Sequence, residues 1–120
     1  MKPSIETTDF GSITVEGTTF EKDIIIRLDG DVKKRKKKLS KEVYGTSYKI
    51  SIDEAKYVYE KGAEKLIIGS GQQGMMKLSK KADAYFKKKG CEVAMMPTPE
   101  AVGKWNEAEG KAIGLFHLTC

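Results

Sequence analysis

Histidine, tryptophan and asparagine each occur once in this chain of 120 residues, glutamine and cysteine twice and proline three times. Each scarcity excludes something. A catalytic metal centre needs more ligands than the one histidine, His117, and no compact acidic cluster replaces them. A small secreted scaffold held by disulfides would carry more than Cys91 and Cys120, which therefore read as reduced thiols. No apolar run approaches the ~20 residues that span a bilayer, since the longest are short blocks such as Leu66–Ile68 and Val93–Met96. The opening Met1-Lys2-Pro3-Ser4 has no signal-peptide apolar core, so the expectation is a cytoplasmic protein with no membrane span. Few amides beside many lysines and glutamates is a bias of proteins from hot environments.

What is abundant is charge, 32% of the residues, with a formal net charge of +5. Six consecutive basic residues, Lys33 to Lys38, account for that excess, because removing them leaves 16 basic against 17 acidic residues. Contact with a nucleic-acid backbone would want aromatic platforms interleaved with the lysines, and none is there. The run reads as a solvated loop or a strand edge, where lysines also discourage edge-to-edge pairing.

Length and composition fit a single domain over 1–120. Alternating apolar residues at Ile13–Val15 and at Asp23–Leu28, with Glu16-Gly17-Thr18 between, predict an N-terminal antiparallel β-hairpin. Ser51 with Glu54 three residues on is a capping box opening a helix over about Ile52–Lys61. A strand over Lys65–Gly69, a helix over Lys77–Lys89 and a strand over Cys91–Met96 follow. Thr98 as N-cap with Pro99 behind it starts a helix that runs to Gly110. Ala112–Leu118 is the last strand. This order favours an α/β fold, a mixed or parallel sheet covered by helices.

Gly69-Ser70-Gly71-Gln72-Gln73-Gly74 matches G-x-G-x-x-G after a strand and before a helix. A dinucleotide unit normally opens its domain, however, whereas about sixty residues precede this one, and Glu92 lies at the start of the next strand rather than at its carboxyl end. A tight strand-to-helix turn is the plainer reading, since only glycine takes positive φ freely. The other is an anion cradle. If the strands ending at Gly69 and Met96 are parallel neighbours, two helix amino termini open onto one crevice, with Pro97 behind it and Lys77, Thr98 and Glu100 near its rim.

His117 and Cys120 stand three apart on a strand and face opposite ways, so they do not grip one metal. His117 reads as a strand histidine satisfied by a backbone partner. Cys91 reads as a small buried hydrophobe, and Met75-Met76 and Met95-Met96 as flexible core filling.

Leu66–Gly71, Met96–Val102 and the ending Phe116-His117-Leu118-Thr119-Cys120 together resemble the adipogenesis-associated Mth-domain family, small proteins of archaea, bacteria and eukaryotes to which a mitochondrial complex I assembly factor is also similar. The resemblance covers about residues 10–120. It implies a three-layer α/β fold with a mixed central sheet of about five strands flanked by helices, and no established catalytic activity, so no catalytic residue carries over. Gly69, Gly71, Pro97, Thr98, Asn106, His117 and Cys120 match the family's pattern. The lysine-rich stretch from Lys33 departs from the tryptophan-containing segment of many bacterial members.

The function expected from all this is a non-enzymatic binding or assembly domain with no cofactor, taking a protein partner or a small anion. Its contact site would be the crevice of Gly69–Gly74 and Pro97–Glu100. The alternative is a small-metabolite or nucleotide-binding enzyme that uses Gly69–Gly74 as the cradle and Lys77 as its charge.

Overall fold

Aliphatic runs with alternating orientation build the centre of the molecule, whose computed structural model describes residues 2–120; Met1 lies outside them. The first elements are β1 (Ile5–Asp9), β2 (Ser12–Val15), β3 (Thr18–Phe20), β4 (Ile24–Ile26), β5 (Val32–Lys34), α1 (Lys38–Tyr44) and β6 (Lys49–Ile50). The rest are α2 (Ile52–Val58), β7 (Lys65–Ser70), β8 (Lys77–Leu78), α3 (Lys80–Lys88), β9 (Glu92–Met96), α4 (Thr98–Glu107) and β10 (Ala112–His117).

A five-stranded mixed sheet has the order β5-β4-β10-β7-β9, with β10, β7 and β9 parallel and β4 antiparallel to both of its neighbours. Because side chains alternate across a strand, each central strand feeds two cores. Leu66, Ile68, Ile113 and Leu115 pack with Ala55 and Val58 of α2 and Ala82 and Phe86 of α3. On the opposite face Ile67, Ala112 and Phe116 pack with Ala101 and Trp105 of α4 and with Ile5, Ile13 and Val15. The second covering layer is thus part helix and part β, since β1-β2-β3 form a separate antiparallel sheet beside α4. The expected mixed α/β architecture is present.

Four local expectations change. Ile13–Val15 turns back at Glu16-Gly17 onto Thr18–Phe20, while the strand drawn over Asp23–Leu28 leaves for the central sheet, where Ile24–Ile26 pairs with β10. The helix expected from Lys77 starts at Lys80 behind its N-cap Ser79, because Lys77–Leu78 is taken by a two-residue strand parallel to β6. α4 is capped by Pro97 backbone geometry with no side-chain cap, since the Thr98 hydroxyl is used elsewhere. Met75 is 54% exposed and fills no core, unlike Met76 at 1%.

Candidate functional site

The loop that follows β7 is a receptacle for the chain itself. Gly69 lies opposite Met96 in the parallel pair, so the loop and Pro97-Thr98 do meet at one end of the sheet. The Gly71 amide donates to Thr98 Oγ1 at 2.9 Å, and that hydroxyl donates on to the His117 carbonyl at 2.5 Å. Gln72 N–H donates to the Thr119 carbonyl at 2.6 Å and Met75 N–H to the Cys120 carbonyl at 3.0 Å. Gly74 N–H returns to Gly71 O and Met76 N–H to Ser70 O. These amides, the donors a cradle would turn toward an anion, are engaged within the chain.

Gly71 shows why glycine is required. Its φ is +105°, and a Cβ there would stand 2.2 Å from the Cys120 carbonyl carbon. A Cβ on Gly69 would meet Thr98 Oγ1 at 2.8 Å, and one on Gly74 would meet Pro97 Cγ at 3.1 Å. The structure therefore brings together Gly69, Ser70, Gly71, Gly74, Pro97 and Thr98. Gln72 points its amide at Thr8 Oγ1 and the Asp9 carbonyl, and Gln73, Lys77 and Glu100 are exposed. With α3 beginning at Lys80, only α4 starts beside this loop.

The lysine run makes the more open site. β5 is the edge strand of the central sheet, so Lys33 and Lys34 are exposed as an edge requires. Arg35 is the correction to that reading: it is 2% exposed. Its guanidinium makes a bidentate pair with Glu54, Nε to Oε2 at 2.6 Å and Nη2 to Oε1 at 3.0 Å. Nη1 donates to Asp23 Oδ2 at 2.9 Å and Nη2 also to the Ser47 carbonyl at 2.7 Å. Arginine suits the position because its planar fork satisfies two carboxylates and a carbonyl at once, which an ammonium cannot do.

Glu54 belongs to the capping box seen in the sequence, but only half of the box forms. Ser51 Oγ accepts from Glu54 N–H at 3.1 Å, while the Glu54 carboxylate turns to Arg35 and the Ser40 hydroxyl. The Ser51 N–H is satisfied by Ser40 Oγ instead.

Asp23 is the hub. Its Oδ2 also faces His117 Nδ1 at 2.7 Å and Lys37 Nζ at 3.8 Å, and Oδ1 accepts from Leu118 N–H at 2.9 Å. Burial alone would push this carboxyl up, but the hydrogen bond and charge of His117, the Leu118 amide and Lys37 together bring it down to about 2. Arg35 is likewise driven upward by Glu54 and Asp23 against the opposite pull of burial. His117, completely buried, therefore has a carboxylate rather than a backbone group as its main partner. Its other nitrogen, Nε2, lies 3.3 Å from Thr119 Oγ1, and Tyr48 packs edge-on against the ring with centroids 5.3 Å apart.

Above this buried network lies a cleft of about 780 Å³, walled by Lys34, Lys36, Lys37 and Lys38 and reaching Asp23 and Thr119. None of residues 69–74 lines it. Neither Arg35 nor Asp23 was singled out in the sequence, though a lone arginine among lysines beside an edge strand is the available signal. Cys91 is buried, and burial pushes its thiol up to about 11. Among the described residues no helix is long and apolar enough to cross a membrane.

Residues 5–116 match the model of a family described as a protein of unknown function, DUF498/DUF598. The chain belongs to that family. A conserved hypothetical protein, PH1505 from Pyrococcus horikoshii, is 29% identical with a TM-score of 0.91, over 98% of this chain and 99% of that one. A structure named MT938 is 30% identical with a TM-score of 0.85, over 99% and 100%. An outer membrane protein from Bartonella henselae shares the fold alone, at 15% identity and a TM-score of 0.68 over 99% and 97%.

Proposed function

We propose that this chain is a binding domain of assembly-factor type that takes an anionic partner into the lysine-lined cleft. The observation that carries the reading is the placement of charge. The basic excess of the sequence sits in one segment, and that segment borders a cleft of about 780 Å³ whose buried acid, Asp23, is already paired with Arg35. Lysine ammonium groups at such a mouth attract anions by long-range field as well as by contact. The resemblance to the Mth-domain family, and through it to an assembly factor, supports recruitment as the role.

Inorganic phosphate, pyrophosphate and citrate are the probes, titrated at low salt while the melting temperature is followed. An anion at 100 times its dissociation constant adds about 2.7 kcal/mol, about 10 °C for a domain of this size. The double variant Lys34→Glu with Lys38→Glu should lose the shift, as should wild type in high salt. No shift with any of the three anions in wild type at low salt would refute the reading. A shift undiminished in the double variant would move the site to the alternative, the Gly69–Gly74 loop with Lys77.

A further inference from the structure

The geometry points to a nucleophilic triad of Thr119, His117 and Asp23, which takes an acyl group from an acyl phosphate monoester held in the lysine-lined cleft. The binding of the phosphate rests on the function proposed above; the covalent step goes beyond it.

Three observations converge. Asp23 Oδ2, paired with Arg35, sits 2.7 Å from His117 Nδ1 and so holds that nitrogen as the N–H donor. This leaves Nε2 with its lone pair facing Thr119 Oγ1, 3.3 Å away, a separation within the range of a resting nucleophile and its base. His117 and Thr119 stand two apart in extended chain and share a side. Thr119 is partly exposed and lines the cleft, so the residue stands between the buried pair and the lysines.

The segment bearing these groups is held from several directions. Thr98 Oγ1 holds the His117 carbonyl, Gly11 N–H the Leu118 carbonyl, Asp23 the Leu118 amide, and Gln72 N–H the Thr119 carbonyl. Fixing a hydroxyl and its base in one geometry is what a nucleophile requires.

Burial selects the substrate class. His117 is 0% exposed, so its Nε2 reaches Thr119 but offers no proton to a leaving group arriving from solvent. A leaving group stable as an anion is needed, and a phosphate monoester among lysines meets that need. Thr119 Oγ attacks the acyl carbon, the Oγ–C bond forms, and the C–O bond to phosphorus breaks with its electron pair on the departing phosphate monoester dianion. The hydroxyl proton passes to Nε2, giving an imidazolium held by Asp23. Water hydrolyses the acyl-threonine in the second half: its oxygen bonds to the acyl carbon, the Oγ–C bond breaks, Oγ takes back the proton held on Nε2, and one water proton passes to solvent. A carboxylic acid is released.

Methyl acetyl phosphate is the probe, with release of methyl phosphate followed and the acetylated residue located by peptide mass mapping. The inference expects acetyl on Thr119, retention in Thr119→Ser, and about 100-fold slower release in Thr119→Val, whose near-identical shape at a partly exposed site preserves the fold. Label confined to lysines, with release equal in wild type and Thr119→Val, would overturn it and leave the hydroxyl as a partner that only satisfies Nε2. Stabilisation by methyl phosphate is measured alongside. If methyl phosphate binds and Thr119 stays unlabelled, the triad alone fails; if it does not bind, the cleft reading fails too.

Discussion

Replacing Arg35 by methionine removes the one cation that both Asp23 and Glu54 share in the interior. Arg35, Asp23 and Glu54 are each 2% exposed or less, so water does not compensate. Glu54 loses both guanidinium contacts and keeps the Ser40 hydroxyl, while Asp23 keeps His117 and the Leu118 amide. Breaking a buried pair this way costs about 3–5 kcal/mol. Unfolding entropy for 120 residues is about 0.25 kcal/mol per degree, so the melting point should fall by about 12–20 °C. Urea denaturation of wild type and variant at pH 7 measures the loss. Adding Glu54→Gln to Arg35→Met should recover about 1 kcal/mol or more at neutral pH. A loss below about 1 kcal/mol at pH 7, or no recovery in the double variant, would refute the reasoning.

Gly71→Ala should cost at least about 3 kcal/mol, because positive φ and a 2.2 Å collision with the Cys120 carbonyl carbon act together, whereas Gly45→Ala, at φ +72° with open space around it, should cost only about 1–2 kcal/mol; urea midpoints compare the two. In wild type, the Asp23 carboxyl at about 2 lies below its unfolded value near 3.9, so about 2–3 kcal/mol of stability is present above pH ~4 and is lost as pH falls toward 2, a slope that acid titration of the fold should show.

Periodicity made the layers legible and obscured where the elements join. Continuous apolar runs in Lys65–Ser70 and Ala112–His117 mark strands buried on both sides, and the structure places them side by side at the centre. The N-terminal strands were harder, because the alternation read at Ile13–Val15 and over Asp23–Leu28 pairs them as one hairpin, whereas Ile24–Ile26 belongs to a different sheet. Nothing local tells a hairpin partner from a strand that crosses to another layer. Lys77–Leu78 was absorbed into the helix behind it, since a two-residue strand has no period of its own. Arg35 was hidden for a different reason. In a run of one sign every residue reads as solvated, and only the buried acids Asp23 and Glu54, distant in sequence, reveal the exception. The capping box concealed Glu54 in the same way, by supplying a local use for a side chain that serves a distant one.

The glycine loop joins these lines of reasoning. A G-x-G-x-x-G turn serves pyrophosphate because glycine lets backbone amides approach an acceptor oxygen closely. In this chain the acceptors include the carbonyls of residues 119 and 120, and the second of these passes 2.4 Å from where a Gly71 Cβ would lie. The same absence of a side chain that could admit a phosphate admits the strand extension instead. Holding that extension fixes His117 over Asp23 and turns Thr119 toward the lysines. The motif therefore acts on the cleft at one remove, and its letters alone could not distinguish a loop that holds a ligand from a loop that holds the segment facing one.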